Sequence, residues 1–290
     1  MKTLILGASG QLANEFKQLF RDDKEVYQIG RPSIDFLNPD SVVKLIREYK
    51  PKCIINTAAY TAVDKAESEK DVSLQTNGQI MGIIGEVAKK IDASVIHYST
   101  DYVFNGASRI PYTEDDHVDP INHYGKTKLL GEKYLLDTGC QAYIFRVSWV
   151  YGKYGNNFLK TILKLMQERP ELKIVSDQIG APTFSYDIAK ATVQILSNSQ
   201  LRDKTGIYHM PAQGQTTWYD FTQLIVDFAK QKSDKYKVIT ESVVAISSDQ
   251  FITPAVRPRY SLMSGVKLKT NFQITLPEWD YSVKKVLAEM

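Results

Sequence analysis

Cysteine is scarce: Cys53 and Cys140 are the only two in 290 residues. They have no metal-ligand spacing and sit in apolar, strand-like contexts, which suits core residues better than a disulfide. Long apolar runs are missing too, since none approaches the ~20 residues of a membrane span. The formal net charge is only +3, and no run of like charge is long enough to form a tail for nucleic acid or membrane. Internal repeats and low-complexity segments are absent. The first residues read as a folded strand rather than a signal peptide, which points to a cytoplasmic protein. A chain of this length forms one large α/β domain or two interlocked ones.

Short apolar runs alternate with helical segments through the first half. Thr3–Leu6, Val26–Ile29, Cys53–Asn56, Val95–Tyr98 and Tyr143–Val147 read as strands; Gln11–Phe20, Pro39–Glu48, Val72–Ile91 and Asn122–Leu136 read as helices. This order predicts an α/β fold with a Rossmann-type, doubly wound parallel sheet. Beyond Trp149 the alternation becomes irregular, with Gly and Pro at Gly152, Gly155, Pro170, Gly180 to Pro182, Gly206 and Pro211. We expect a Rossmann unit over 1–149 and a smaller, interleaved substrate-binding lobe over 150–290, with about 184–198 returning to the first unit.

The first strand runs directly into Gly7-Ala-Ser-Gly10-Gln-Leu-Ala13 and then a helix. Glycines there permit a tight turn and a close approach of backbone to a diphosphate, whose charge meets the helix N-terminus. At the end of the second strand, where a carboxylate would bind ribose hydroxyls, the chain has Gly30-Arg31. Arg31 favours the 2′-phosphate of NADPH over NADH, or is a solvated loop cation; Asp35 is close enough to share the position. Asn56-Thr-Ala-Ala-Tyr-Thr61 closes the third strand, and Ala58, Ala59 and Thr61 leave room for a cofactor beside the sheet edge.

Tyr-x-x-x-Lys occurs three times, at Tyr124/Lys128, Tyr186/Lys190 and Tyr281/Lys285. Positions i and i+4 share a helix face, so each pair is equally an ordinary amphipathic contact. Only Tyr124 follows a strand ending in a hydroxyl pair, Ser99-Thr100, 24 residues earlier. There a phenol would donate a proton to a ketone oxygen held by the Thr100 hydroxyl. The Lys128 ammonium is expected to lower the phenol pKa from ~10 towards working pH.

With these residues in place, the chain resembles the extended short-chain dehydrogenase/reductases, and within them the dTDP-4-dehydrorhamnose reductase family. The resemblance rests on Gly7-Ala-Ser-Gly-Gln-Leu12, Asn56 to Glu67, Ser99-Thr-Asp-Tyr-Val-Phe-Asn-Gly106, Tyr124-Gly-Lys-Thr-Lys128 with Gly131-Glu132, and Arg146-Val-Ser-Trp-Val-Tyr-Gly152. It continues through Gly155-Asn-Asn-Phe158, Asp177 to Thr183, Thr217-Trp218 and Arg257-Pro258. It implies reduction of the C4 ketone of a dTDP-4-dehydro-6-deoxy-L-sugar by NADPH, or by NADH as the alternative. Gly7, Gly10, Gln11 and Leu12 would hold the cofactor diphosphate. Lys128 would also hold the nicotinamide ribose. Val63, Tyr102 and Trp149 would line the sugar site, and Arg257 would meet the substrate diphosphate.

Some relatives dimerise around Mg2+ held by acidic side chains. Glu15 and Glu289 match two of those positions, while the third is Tyr186, so monomer and homodimer both stay open. Arg257-Pro-Arg-Tyr-Ser261 stands where relatives often have Arg-Pro-x-Asn-Ser. A dehydratase or epimerase of the same fold would have Asp-Glu after the threonine, whereas this chain has Asp101-Tyr102. The remaining alternatives are the reductase yielding the talose epimer and a regulatory subunit that binds dinucleotide without chemistry.

Overall fold

Four of the runs read as strands are buried along both faces, which requires layers of helix above and below the sheet. The computed structural model describes residues 1–197 and 204–290. Its strands β1 (Thr3–Leu6), β2 (Val26–Ile29), β3 (Cys53–Asn56), β4 (Ser94–Thr100) and β5 (Gln141–Val147) lie parallel in the order β5-β4-β3-β1-β2. A sixth parallel strand, Gly206–His209, pairs with the outer edge of β5. It comes from the half of the chain that the sequence assigns mainly to the smaller lobe. Residue 198, the end of the segment expected to return to the first unit, lies outside the described residues.

Alternation along the strands divides the core. Ile5, Ile55, Ile96, Tyr98 and Phe145 pack against Phe16 of helix α1 (Gln11–Leu19) and against Ile188, Ala191 and Ile195 of the helix Ser185–Leu196. Leu4, Leu6, Ile54, Val95 and Ile144 point the other way, onto Val42 and Ile46 of the helix Pro39–Tyr49 and Ile80, Ile84 and Val87 of the helix Ile80–Lys90. A separate apolar cluster of the second half joins Tyr151, Leu159, Leu172, Phe221, Ile225 and Val283.

The helix expected over Val72–Ile91 runs without a break from Lys70 to Lys90 and widens into a π-helical turn at Gln75–Gln79, between Lys70–Leu74 and Ile80–Lys90. The physical reason lies across the interface. A Cβ on Gly131 of the facing helix His123–Asp137 would sit 2.1 Å from the Asn77 carbonyl oxygen, so the two backbones touch there. Asn77 then brackets Tyr60 by accepting from its N–H at 2.8 Å and donating to its carbonyl at 3.0 Å. The wide turn thus fixes the loop after β3.

The sheet order reverses between β1 and β3, and open α/β sheets take their ligands at the carboxyl ends of the strands flanking such a reversal. Gly7 and Thr57 follow those two strands directly. Among the described residues no helix is long and apolar enough to cross a membrane.

Candidate active site

Gly7 has φ of 112°, and a Cβ there would lie 2.4 Å from Thr57 Oγ1. The turn therefore lies flat against the end of β3, as a cradle for a diphosphate requires. Gly10 caps α1 with no side-chain acceptor, and no atom lies within 4 Å of where its Cβ would be. The N–H groups of the first turn are thus left to a ligand. These features fit a dinucleotide. Leu12 is buried, and the Gln11 side chain is committed elsewhere: it donates to the Val150 carbonyl at 3.1 Å and accepts from Asn157 Nδ2 at 2.9 Å. Any contribution of Gln11 to a diphosphate comes from its backbone.

A Cβ on Gly30 would meet Ala8 at 2.7 Å, so the end of β2 abuts the glycine turn and delivers exposed Arg31 and Asp35 beside it. Asp35 Oδ1 accepts from the Leu37 N–H at 2.9 Å, a local turn contact that holds this carboxylate on its own loop. Ala58 and Ala59 are half-buried and Thr61 is exposed along the loop after β3.

The strand β4 runs on through Ser99 and Thr100, two residues further than expected. Thr100 then caps a short 3-10 turn, accepting from the Tyr102 N–H at 3.1 Å and donating to Asp101 Oδ1 at 3.0 Å. Asn122 caps the helix His123–Asp137 by accepting from the Gly125 N–H at 2.8 Å and reaches the Val256 carbonyl with its amide nitrogen at 2.8 Å. Such a cap is worth about 1 kcal/mol. A Cβ on Gly125 would fall 2.1 Å from the Tyr102 carbonyl oxygen. That close approach brings the half-buried Tyr124 ring edge-on to Tyr102, with centroids 5.8 Å apart.

Burial pushes the Tyr124 phenol up to about 12, helped by the Asp101 charge and opposed by the Thr100 hydroxyl. The expected lowering by Lys128 is not found. The reason is geometric: Lys128 Nζ is drawn under the sheet, 2.6 Å from the Tyr98 carbonyl and 3.2 Å from His97 Nε2. Burial pulls its own value down to about 8, with Glu132 pulling upwards. Asp101, wholly enclosed, is raised to about 6 by burial against the hydroxyls of Ser261 and Thr100. The sequence offers Asp101 only as the neighbour of Thr100 that lacks a following glutamate, and offers His97 only as a polar residue inside an otherwise apolar strand.

The expected sugar-site residues fall into two groups. Arg257 pairs with Asp64, the neighbour of Val63, at 2.9 Å and hydrogen-bonds Thr253. The Tyr102 hydroxyl is a further partner of this guanidinium. Trp149, at φ of 47°, instead stacks on Trp218 with centroids 3.6 Å apart. Gly180 makes room for it, since a Cβ there would lie 2.6 Å from the indole. Trp218, which in sequence is only the neighbour of Thr217, carries this stack.

Of the three Tyr/Lys pairs, the other two meet each other: Lys285 Nζ lies 5.3 Å from the centroid of the Tyr186 ring. Glu15 is buried, accepts from Ser185 Oγ at 2.8 Å, and is raised by desolvation. Glu289 pairs with Lys153. Among the described residues no group of three or more acidic, histidine or cysteine side chains is placed to hold a metal. Within this chain Glu289 is thus served by the Lys153 ammonium and Glu15 by the Ser185 hydroxyl.

The family model described as RmlD substrate binding domain matches residues 1–290. The chain is 40% identical over 295 residues to dTDP-4-dehydrorhamnose reductase of Salmonella typhimurium, covering 100% of this chain and 98% of the relative. Its structure is similar to that of a dTDP-4-dehydrorhamnose reductase from Clostridium acetobutylicum, with TM-score 0.91, 35% identity and both chains covered in full. It is equally similar to the Bacillus anthracis enzyme crystallised with NADP, at TM-score 0.91, 33% identity and full coverage of both. Matches of this length, in sequence and in backbone, place the chain in the dTDP-4-dehydrorhamnose reductase family.

Proposed function

We propose that this chain reduces the C4 ketone of dTDP-4-dehydro-L-rhamnose with NADPH, giving dTDP-L-rhamnose. The observation that carries the reading is the convergence of Thr100, Tyr102 and Tyr124 at the carboxyl end of β4, with Lys128 buried behind them. When bound, the reduced nicotinamide supplies the hydride. Tyr124 keeps its proton at neutral pH and so is a proton donor towards a developing alkoxide. Thr100 shares its own proton with Asp101, which orients the hydroxyl and leaves it to turn outwards as charge develops on the ketone oxygen.

Arg257 is held beside Tyr102 by Asp64, and exchange of that carboxylate for a substrate diphosphate would keep the guanidinium paired. Val63 and Tyr102 would flank the sugar, and Trp149 on Trp218 would offer an apolar wall for its deoxy face. Gly7, Gly10, Leu12 and the backbone of Gln11 would hold the cofactor diphosphate, with Ala58, Ala59 and Thr61 along the rim and Arg31 at the 2′-phosphate. Residues 1–149, with the helix from residue 184 onwards and the strand Gly206–His209, would form the cofactor unit, and the rest of 150–290 the substrate lobe.

The test is loss of reduced-nicotinamide absorbance when the protein meets enzymatically generated dTDP-4-dehydro-L-rhamnose, run with NADPH and NADH and followed by NMR of the product. Consumption yielding the rhamnose epimer supports the reading; the talose epimer moves the enzyme to its neighbour, and no consumption overturns it. Arg31→Ala is expected to weaken NADPH more than NADH by roughly tenfold, the value of one exposed charge-assisted contact. Equal losses would remove Arg31 from the 2′-phosphate.

A further inference from the structure

The carboxyl end of β5 lies beside that of β4, with Val147 in register with Thr100. Two residues on, Trp149 stands in the left-handed region at φ of 47°. A non-glycine residue keeps such a backbone only where its surroundings over-determine it. The segment 178–183 supplies those surroundings. Ser148 Oγ donates to the Ala181 carbonyl at 3.0 Å, the Thr183 N–H donates to the Trp149 carbonyl at 3.3 Å, and Gly180 leaves the space that the indole fills.

The face of the indole is set by a different contact. Trp218, at the start of the helix Trp218–Gln231, stacks on Trp149 within 8° of parallel. Phe158 packs against Trp218 as well, with centroids 4.5 Å apart. Apolar contact has no direction of its own, so the rotation of the Trp218 ring is left to its one polar atom. Trp218 Nε1–H donates to Gln178 Oε1 at 3.0 Å.

An indole N–H can only donate, so Gln178 presents its oxygen there and turns its nitrogen away. Gln178 Nε2 donates to Ser248 Oγ at 3.0 Å, and Ser248 Oγ donates to Asp177 Oδ1 at 2.6 Å. The hydrogen bonds thus run in one direction, from the indole to a carboxylate. Gln178 is buried, and a buried amide that loses its partners keeps the full cost of its desolvation. The chain therefore holds Gln178, and through it Trp218, in a single orientation.

The arm that carries Arg257 is tied to the same segment by backbone alone. The Ile179 N–H donates to the Arg259 carbonyl and the Ser261 N–H donates to the Ile179 carbonyl, both at 2.8 Å. Ser248 keeps its own backbone bond to Asp177 Oδ1 at 2.9 Å. Replacing the Gln178 side chain frees the indole and leaves the arm where it is.

We infer that Gln178 is a positioning residue for the sugar: through Trp218 it orients the Trp149 face that meets the sugar ring, and its side chain takes no part in holding the substrate diphosphate or the cofactor. The inference deepens the reductase reading and rests on it.

Two measurements separate this role from a merely architectural one. In 15N-labelled protein the indole N–H signals of Trp149, Trp218 and Trp279 are assigned by replacing each tryptophan with phenylalanine. The Trp218 signal is expected to exchange with solvent at least about tenfold more slowly than a free indole, and Gln178→Met, close in shape but without the amide, to remove that protection. Fast exchange of Trp218 in the wild type, or protection that survives Gln178→Met, overturns the inference.

Equilibrium binding of dTDP and of dTDP-L-rhamnose, with NADP+ present, then compares the ligand without its sugar and with it. Gln178→Met is expected to weaken dTDP-L-rhamnose by about five- to tenfold, the worth of one hydrogen bond, and dTDP by less than about twofold. In the reductase assay KM for the keto sugar rises by the same factor, while kcat changes by less than about threefold. Gln178→Glu returns an oxygen to the Trp218 N–H and is expected to restore its protection and most of the sugar affinity. Equal weakening of both nucleotides, no weakening of either, or no recovery with Gln178→Glu overturns the positioning role. Wild-type protein that binds neither nucleotide defeats the reductase reading itself, and the inference with it, before any variant is compared.

Discussion

One helix turn separates two buried ionic sites that are built on opposite principles. Arg146 is 2% exposed, receives both oxygens of Glu132, and has His209 Nε2 3.4 Å from its remaining guanidinium nitrogen. Lys128 is 1% exposed, and its hydrogen-bond contacts are a carbonyl and an imidazole nitrogen, with no carboxylate among them. The first cation is fully paired and holds β5 to the helix. The second is left with incomplete pairing beside the phenol, and a group whose charge is poorly supported is one whose proton can move. On the proposed reading, the contrast separates a cation that serves the fold from one that serves chemistry.

The widest break between the two sites is kinetic. Tyr124→Phe removes the proton donor and keeps the ring against Tyr102, so turnover is expected to fall by on the order of 10²–10⁴-fold, about 3–5 kcal/mol of barrier. Cofactor affinity and the unfolding midpoint should hardly change. Near-normal turnover would sink the assignment of the donor.

Next in size is Glu132→Ala, which strands the Arg146 charge in the core. Urea unfolding is expected to show a loss of about 3–5 kcal/mol, typical of one partner removed from a buried pair. A loss below about 1 kcal/mol, the value of an exposed pair, would show that Arg146 finds other support.

Lys128→Met should do the reverse. The lysine ionises lower in the fold than in the open chain, so its stabilising contribution is complete only above the unfolded value of about 10.5 and is lost as pH falls to about 8. At neutral pH the residue is therefore a burden to the fold, and methionine should leave stability unchanged or raise it by about 1 kcal/mol while turnover falls at least tenfold. A stability loss above about 2 kcal/mol, the size of a lost buried contact, would make Lys128 a structural cation like Arg146.

The smallest effect is a pH dependence on the Arg146 side. Burial first, and the Arg146 charge second, push His209 down to about 3 from an ordinary value of 6.5. Because the folded value is lowered, the open chain takes up the proton first. Stability is complete above about 6.5 and declines as pH falls from there towards 3. Urea midpoints measured at about pH 7 and pH 5 should differ in the wild type, and His209→Gln should reduce the difference. Identical slopes in both proteins would remove His209 from the acid response.

The sequence alone carried much of the architecture. Strands β1, β2 and β3 match the expected runs residue for residue, because a short run of strand-forming residues with local turn signals at its ends marks each, whether buried as in β1 and β3 or at the sheet edge as in β2. The placement of the glycine turn before α1, of Thr100 at the end of β4, and of Tyr124 and Lys128 on one helix was legible too, since each depends on residue type at a fixed position in a strand–turn–helix unit. Gly206–His209 was not, because it has only two apolar residues, Ile207 and Tyr208, between a glycine and a histidine, and gains its place in the sheet through its partner β5. The π turn at Gln75–Gln79 was equally hidden, since it is set by the contact of Gly131 with Asn77 across the interface. Tertiary structure alone decided the electrostatics. The phenol is raised rather than lowered, and Lys128 faces an imidazole instead of Tyr124. Burial and the direction of a proton depend on what the fold packs around a group, which spacing along the chain does not encode.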